Sequence, residues 1–281
     1  MAAGRKLIEG GRPVLGCDPA TGAQETARQA GMDVAAVPAD VATHSPIVLM
    51  FLPGPAQSIE CVAGPTGLLR TASAGAVIVD LSTVDPATSR HMAALARERG
   101  VGYLDAPVLG RPASVGRWAL PVGGRAEDID RCRPILAVVA ATIMHIGESG
   151  SGNKIKLLNQ MMFSAINAMT AEMMAVAERV GVPPTLLYET ITSSQAGTVS
   201  NLFVELGKTI RDEQYDVPTF SVDLLCKDVR LAIEMAEAHA APPLLARLIQ
   251  FMNGTAQAQG LGAKDTAVMW KACRSFWSPH A

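Results

Sequence analysis

No apolar run in this 281-residue chain is long enough to cross a bilayer: the longest, Pro134 to Ile146, falls short of the roughly 20 residues a spanning helix needs. The first residues carry no compact apolar stretch of the secretory kind, so no membrane partner is expected. Positive charge is not in surplus either. With 24 Lys and Arg against 26 Asp and Glu the net charge is −2, no basic stripe is visible, and nucleic acid is not an expected partner. Cysteines number five (17, 61, 132, 226 and 273); without C-x-x-C spacing they read as reduced thiols of a cytoplasmic chain. The five histidines (44, 91, 145, 239 and 280) form no i, i+4 pair and no group with acids, so no metal is expected. The chain also has no G-x-S-x-G, which argues against a hydrolase.

What remains is a globular composition, 49% apolar against 18% charged, with length for about two domains. The first half alternates short β-rich runs with helical patterns, the rhythm of a doubly wound parallel sheet. Candidate strands are Pro13–Asp18, Ile47–Leu52, Ala76–Leu81, Val101–Ala106, Leu120–Val122 and Thr142–Ile146, and Pro86 opens a helix at a position that tolerates proline. After Gly147 to Asn153 strand-like runs almost cease. An α/β Rossmann-type domain at residues 1–149 and an all-helical domain at 150–281 are therefore expected. From Lys154 to Val180 apolar residues, several of them Met, occupy most helix faces; such a helix reads as buried, with the Met cluster as core packing. It is also more than one small domain can cover, so a homodimer or higher homo-oligomer is expected.

Two segments suggest chemistry. Asp18, followed by Pro19, ends a candidate strand, where a Rossmann unit places the acid that accepts from the adenine ribose, about 20 residues after a glycine-rich phosphate loop. Counting back from Asp18 reaches Met1 first, so the first strand and its G-x-G-x-x-G are expected to be missing, Met1 to Gly10 to be what is left of the first helix, and dinucleotide binding to be weak. The alternative is a simple turn acid. The second segment is Gly150-Ser151-Gly152-Asn153-Lys154-Ile155-Lys156-Leu157-Leu158-Asn159-Gln160. Its glycines allow close backbone approach, Ser151 or Asn153 can cap a helix, and Lys156, Asn159 and Gln160 share one helix face. Two lysines in a first turn oppose the helix dipole at a cost of roughly 0.3–1 kcal/mol, so they are either solvated or kept for another purpose.

This segment resembles the GxGxxxKxxN[NQ] signature of the β-hydroxyacid dehydrogenase family, which includes 3-hydroxyisobutyrate dehydrogenase and is related to 6-phosphogluconate dehydrogenase. Val48–Pro53, Asp80 to Pro86 (DLSTVDP), Asp105 to Val108 (DAPV), Phe220 with Lys227-Asp228, and Gly260 to Asp265 match further family motifs in order. The resemblance implies an NAD(P)-dependent oxidoreductase that transfers a hydride between nicotinamide and a small hydroxyacid or related carbonyl compound in an interdomain cleft. Lys156 is then the general acid and base, with Asn159 and Gln160 orienting substrate. Asp18, Leu52, Pro53, Thr83, Phe220 and Lys227 serve the cofactor, for which Asp18 favours NAD over NADP. Ser82 and Thr83 can instead cap the next helix, and Lys227 can be paired with Asp228 or another acid.

Where the family carries DAPVSGG, this chain reads DAPVLGRP. Leu109 replaces the serine and Arg111-Pro112 the second glycine and its neighbour. With Gly110 these are the expected substrate residues; Arg111 can hold a carboxylate, or Leu109 and Arg111 are packing and solvated loop. Leu109 mildly favours an imine reductase, Lys156 disfavours one, and a non-catalytic dimeric scaffold that has lost its cofactor loop is a further alternative.

Overall fold

The computed structural model describes residues 1–193 and 201–276. They fall into two compact units that divide between Lys156 and Leu157, beyond the boundary expected near residue 149.

In the first unit α1 (Ala2–Glu9), β1 (Leu15–Gly16), α2 (Thr21–Gln29), β2 (Asp33–Val34), α3 (Pro38–His44), β3 (Ile47–Met50), α4 (Pro55–Ala63), β4 (Val77–Asp80), α5 (Pro86–Glu98), β5 (Gly102–Asp105), β6 (Trp118–Gly123), α6 (Ala126–Val139) and β7 (Ala140–Gly147) precede the long α7 (Ser151–Arg179). The strands stand where alternation predicts them, but β1, β3, β4 and β5 are shorter, and the two-residue β2 leaves too little pattern to be anticipated. Two separate sheets form rather than one: β1 pairs with β2, and β3-β4-β5-β6-β7 lie in that order. Parallel pairing is broken only between β5 and β6, which meet antiparallel at Asp105 and Gly123. A loop without a crossover helix joins those two strands, as antiparallel neighbours allow.

Strand alternation sends successive side chains to opposite layers. Val77 and Val79 of β4 pack with Leu7, Ile129 and Leu136 of α1 and α6, whereas Ile78 packs with Val62, Met92 and Tyr103 on the other face. Both faces of the larger sheet are thus covered, and the polar groups at its strand ends lie at one end of the unit.

The second unit is helical: the rest of α7, then α8 (Pro184–Ser193), α9 (Asn201–Arg211), α10 (Val222–Glu237), α11 (Leu244–Ala258) and α12 (Met269–Ser275). Ala171, Met174 and Ala175 of α7 enter a core with Phe203, Leu206, Val222 and Trp270. Met161, Met173 and Met174 pack in the cores of this unit as expected of the Met cluster, but one face of α7 is left uncovered by this chain. Leu158, Met162 and Met169 are each more than half exposed, because the helices of this unit cover only one side of α7, and those methionines are not core packing within the chain.

Candidate active site

Two buried aspartates close β4 and β5. Asp80 Oδ1 accepts from the Ser82 amide at 2.9 Å and Oδ2 from the Tyr103 hydroxyl at 2.8 Å. Burial pushes its carboxyl up from the ordinary range against those bonds. Ser82 Oγ in turn accepts from the Leu52 amide at 2.8 Å, so the turn carrying Leu52 and Pro53 is tied to the loop carrying the half-buried Thr83. Neither Ser82 nor Thr83 caps α5. Asp85 does, accepting from the Thr88 amide at 2.8 Å, because the helix begins one residue later, at Pro86.

Asp105 holds the start of α7. Its Oδ1 accepts from the Gly150 amide at 2.7 Å and its Oδ2 from the Asn153 amide at 3.0 Å. The orphan amides of the first turn are thereby met by a distant carboxylate as well as by dipole attraction, rather than by the side chains of Ser151 or Asn153. Burial raises the Asp105 carboxyl to about 6 although both amides favour the charged form. The approach is close: a Cβ on Gly152 would lie 2.4 Å from the Asp105 carbonyl oxygen and 2.5 Å from that of Pro121. Asn153, fully buried, spends its side chain on the neighbouring loop, accepting from the Val84 amide at 3.1 Å and donating to Ser89 Oγ at 3.1 Å.

Lys156, one turn on and half-buried, donates Nζ to the Val108 carbonyl at 2.9 Å. Lys154 is exposed, so solvation accounts for that lysine but not for Lys156.

The loop after Val108 differs from what its sequence suggests. Leu109 and Ala119 exchange backbone hydrogen bonds at 2.9 and 3.1 Å, which commits the Leu109 amide and carbonyl to the protein. Gly110 is required by the Trp118 indole, whose Cδ1 would lie 2.5 Å from an added Cβ. The same indole donates Nε1 to the Arg111 carbonyl at 2.8 Å and stands 6.2 Å from the exposed ring of Phe51. The half-buried Arg111 is therefore fixed through its backbone. Asp18 lies exposed at the end of β1 and accepts from the Ala20 amide at 2.8 Å, bonding as a turn acid does.

In the second unit Gln160 is buried and donates Nε2 to Asp228 Oδ2 at 2.7 Å, while Lys227 Nζ lies 2.6 Å from Asp228 Oδ1. The ion pair anticipated for Lys227 is therefore present. Phe220 meets Phe163 edge to face with centroids 5.4 Å apart. Asn159 is exposed. Sequence reasoning missed Asn153 as a tie, Asp105 as the anchor of α7, and Trp118; the contacts of the first two are long-range, and that of Trp118 with Arg111, though only seven residues away, follows no regular helix or strand spacing.

A nicotinamide dinucleotide needs an acceptor for its ribose, an apolar wall for its ring and backbone amides for its pyrophosphate. The acid at the end of β1 and the Leu52-Pro53 turn held by Ser82 suit the first two. No G-x-G-x-x-G occurs in the sequence for the third.

Residues 1–147 match the family model described as the NAD binding domain of 6-phosphogluconate dehydrogenase, and residues 150–273 the one described as NAD-binding of NADP-dependent 3-hydroxyisobutyrate dehydrogenase. The chain is 32% identical to 2-(hydroxymethyl)glutarate dehydrogenase of Eubacterium barkeri over 82% of its own length and 77% of that protein's. With the mitochondrial 3-hydroxyisobutyrate dehydrogenase of Rattus norvegicus it shares 28% identity, covering 96% of this chain and 82% of that one. The solved 3-hydroxyisobutyrate dehydrogenase of Salmonella typhimurium superimposes with a TM-score of 0.89 at 25% identity over 96% of this chain and 94% of that one. An imine reductase from Pseudomonas sp., at 18% identity and a TM-score of 0.60 over 96% and 94%, shares the fold.

Proposed function

This chain belongs to the β-hydroxyacid dehydrogenase family, and we propose that it moves a hydride between NAD and a small hydroxyacid or the matching carbonyl compound, with Lys156 as general acid and base. The observation that carries this reading is the Lys156 amine, fixed at the Val108 carbonyl on the segment whose Asp105 also anchors the helix. A bound nicotinamide supplies the hydride chemistry. The protein must supply a proton at the substrate oxygen during reduction and remove one during oxidation. A lysine does this where burial or a neighbouring cation brings its pKa toward the working pH.

In this reading residues 1–149 bind the dinucleotide, with Asp18 on the ribose hydroxyls and Leu52, Pro53 and Thr83 along the cofactor, to which Phe220 and Lys227 of the helical domain are added. Residues 150–281 serve substrate and dimerisation. Leu109, Gly110, Arg111, Asn159 and Gln160 shape the substrate end. Because Leu109 spends its amide on Ala119, carboxylate recognition falls to Arg111, whose planar fork suits it. All five thiols are free, which supports a cytoplasmic setting. A panel of short hydroxyacids and cyclic imines, followed through nicotinamide absorbance, tests the reading: turnover of hydroxyacids supports it, and turnover of imines alone would replace it with the imine reductase reading that Leu109 favours.

A further inference from the structure

Asn153 is a costly choice where it stands. A side chain fully buried at the start of a helix would ordinarily be apolar, and an amide there is tolerated only when its polar atoms are met. Here they are: Oδ1 takes the Val84 amide, Nδ2 the Ser89 hydroxyl, and the backbone amide the Asp105 carboxylate. Three segments, the Thr83 loop, α5 and the end of β5, therefore converge on one residue. A satisfied buried network fixes geometry more tightly than apolar contact of equal size.

Three residues along the same helix lies Lys156. That separation is about 4.5 Å of rise, too short for the helix to absorb a displacement, so movement of its first turn passes to Lys156 undiminished. The acceptor of Lys156 is fixed to the same frame, because Val108 follows Asp105 by three residues.

We propose that Asn153 is a positioning residue for Lys156, locking α7 to the loop between β4 and α5 so that the amine stands at a set place against the Val108 carbonyl. This rests on the reading of Lys156 as acid and base, but its primary test does not depend on activity. Asp105 is the less useful position to change, since its removal also uncaps the helix.

The test is competitive acetylation of the apo protein with a trace of acetic anhydride, read by mass spectrometry at Lys156 with Lys154 as internal reference. In Asn153→Ala the amine is released from Val108, and the Lys156 to Lys154 labelling ratio is expected to rise about five-fold, the scale of one lost hydrogen bond. Ser89→Ala, which removes one partner and leaves Asn153 in place, is expected to raise the ratio less, and it serves if the first variant does not fold. An unchanged ratio in the folded variant, or an equal rise at both lysines, overturns the proposal. A turnover arm uses the best hydroxyacid of the panel with NAD. Asn153→Ala is expected to lower kcat by about 10²-fold and to add nothing in a Lys156→Met background; wild-type turnover, or a loss that multiplies fully with Lys156→Met, overturns it. Should Lys156→Met turn over like wild type, the acid and base reading fails while the labelling ratio still judges Asn153.

Discussion

Lys156 reaches from α7 to donate its ammonium to the carbonyl of Val108, 48 residues earlier in the chain, at 2.9 Å. A solvated lysine would spend side-chain entropy to hold such a contact and gain little. The half-buried setting gives the bond a role in holding the amine at one place.

Asp18 predicts cofactor choice. A carboxylate at the end of β1 repels a 2′-phosphate and accepts from a 2′-hydroxyl, so titration with the two dinucleotides should show tighter binding of NAD. Asp18→Ser should narrow the difference. Tighter NADP binding by the wild type would remove Asp18 from the site.

Leu109 predicts a poor fit to 3-hydroxyisobutyrate, since no hydroxyl at this position can hold the carboxylate. In the substrate panel that compound should fall well below the best one, and Leu109→Ser should improve it. Equal efficiency with the best compound would show that Leu109 does not govern the choice.

The raised carboxyls of Asp105 and Asp80 predict an unusual pH trend. A folded-state pKa above the unfolded value near 4 means that the folded chain holds protons the unfolded chain has released. For Asp105 this contribution is full below about pH 4 and is lost as pH rises through about 6, and Asp80 acts in the same direction. Urea unfolding at pH 5 and pH 7 should therefore show a term that favours pH 5. Asp105→Asn should be less stable at both values, because an amide cannot accept from both first-turn N–H groups, and its pH dependence should be flatter. An unchanged slope would contradict the assignment.

Along α7 the exposed or half-exposed Ile155, Met162, Met169 and Val176 recur every seventh residue, with Leu158 beside them. This is the spacing of a helix seam, and soluble monomers rarely expose contiguous apolar patches beyond a few hundred Å². Light scattering should report a dimer or larger assembly, and Met169→Glu should dissociate it. A stable wild-type monomer would contradict this.

Much of the architecture was legible because it rests on local pattern: alternation marked the strands, Pro86 the start of α5, and the spacing of Gly150, Gly152 and Lys156 the opening of α7. What escaped was set by contacts far apart in the chain. Asn153 meets Val84 across 69 residues and Ser89 across 64, and nothing local distinguishes it from a helix cap. Gly110, by contrast, reads in the sequence as a substrate residue, and the nearby but irregular contact by which Trp118 excludes any side chain there leaves no pattern to read. That α7 is too apolar for one small domain to cover was legible, but that Met162 and Met169 lie on the uncovered face was not, since periodicity shows that a face is apolar but not what covers it.

The most direct measurement compares Lys156→Ala with Lys154→Ala on the best hydroxyacid of the panel, with folding checked by circular dichroism. A residue that handles the proton should cost about 10²–10⁴-fold in kcat, whereas its exposed neighbour, which shares the helix end and its electrostatics, should cost little. A steep loss confined to Lys156 is the predicted result; equal losses at the two positions, or an active Lys156→Ala, would contradict the account.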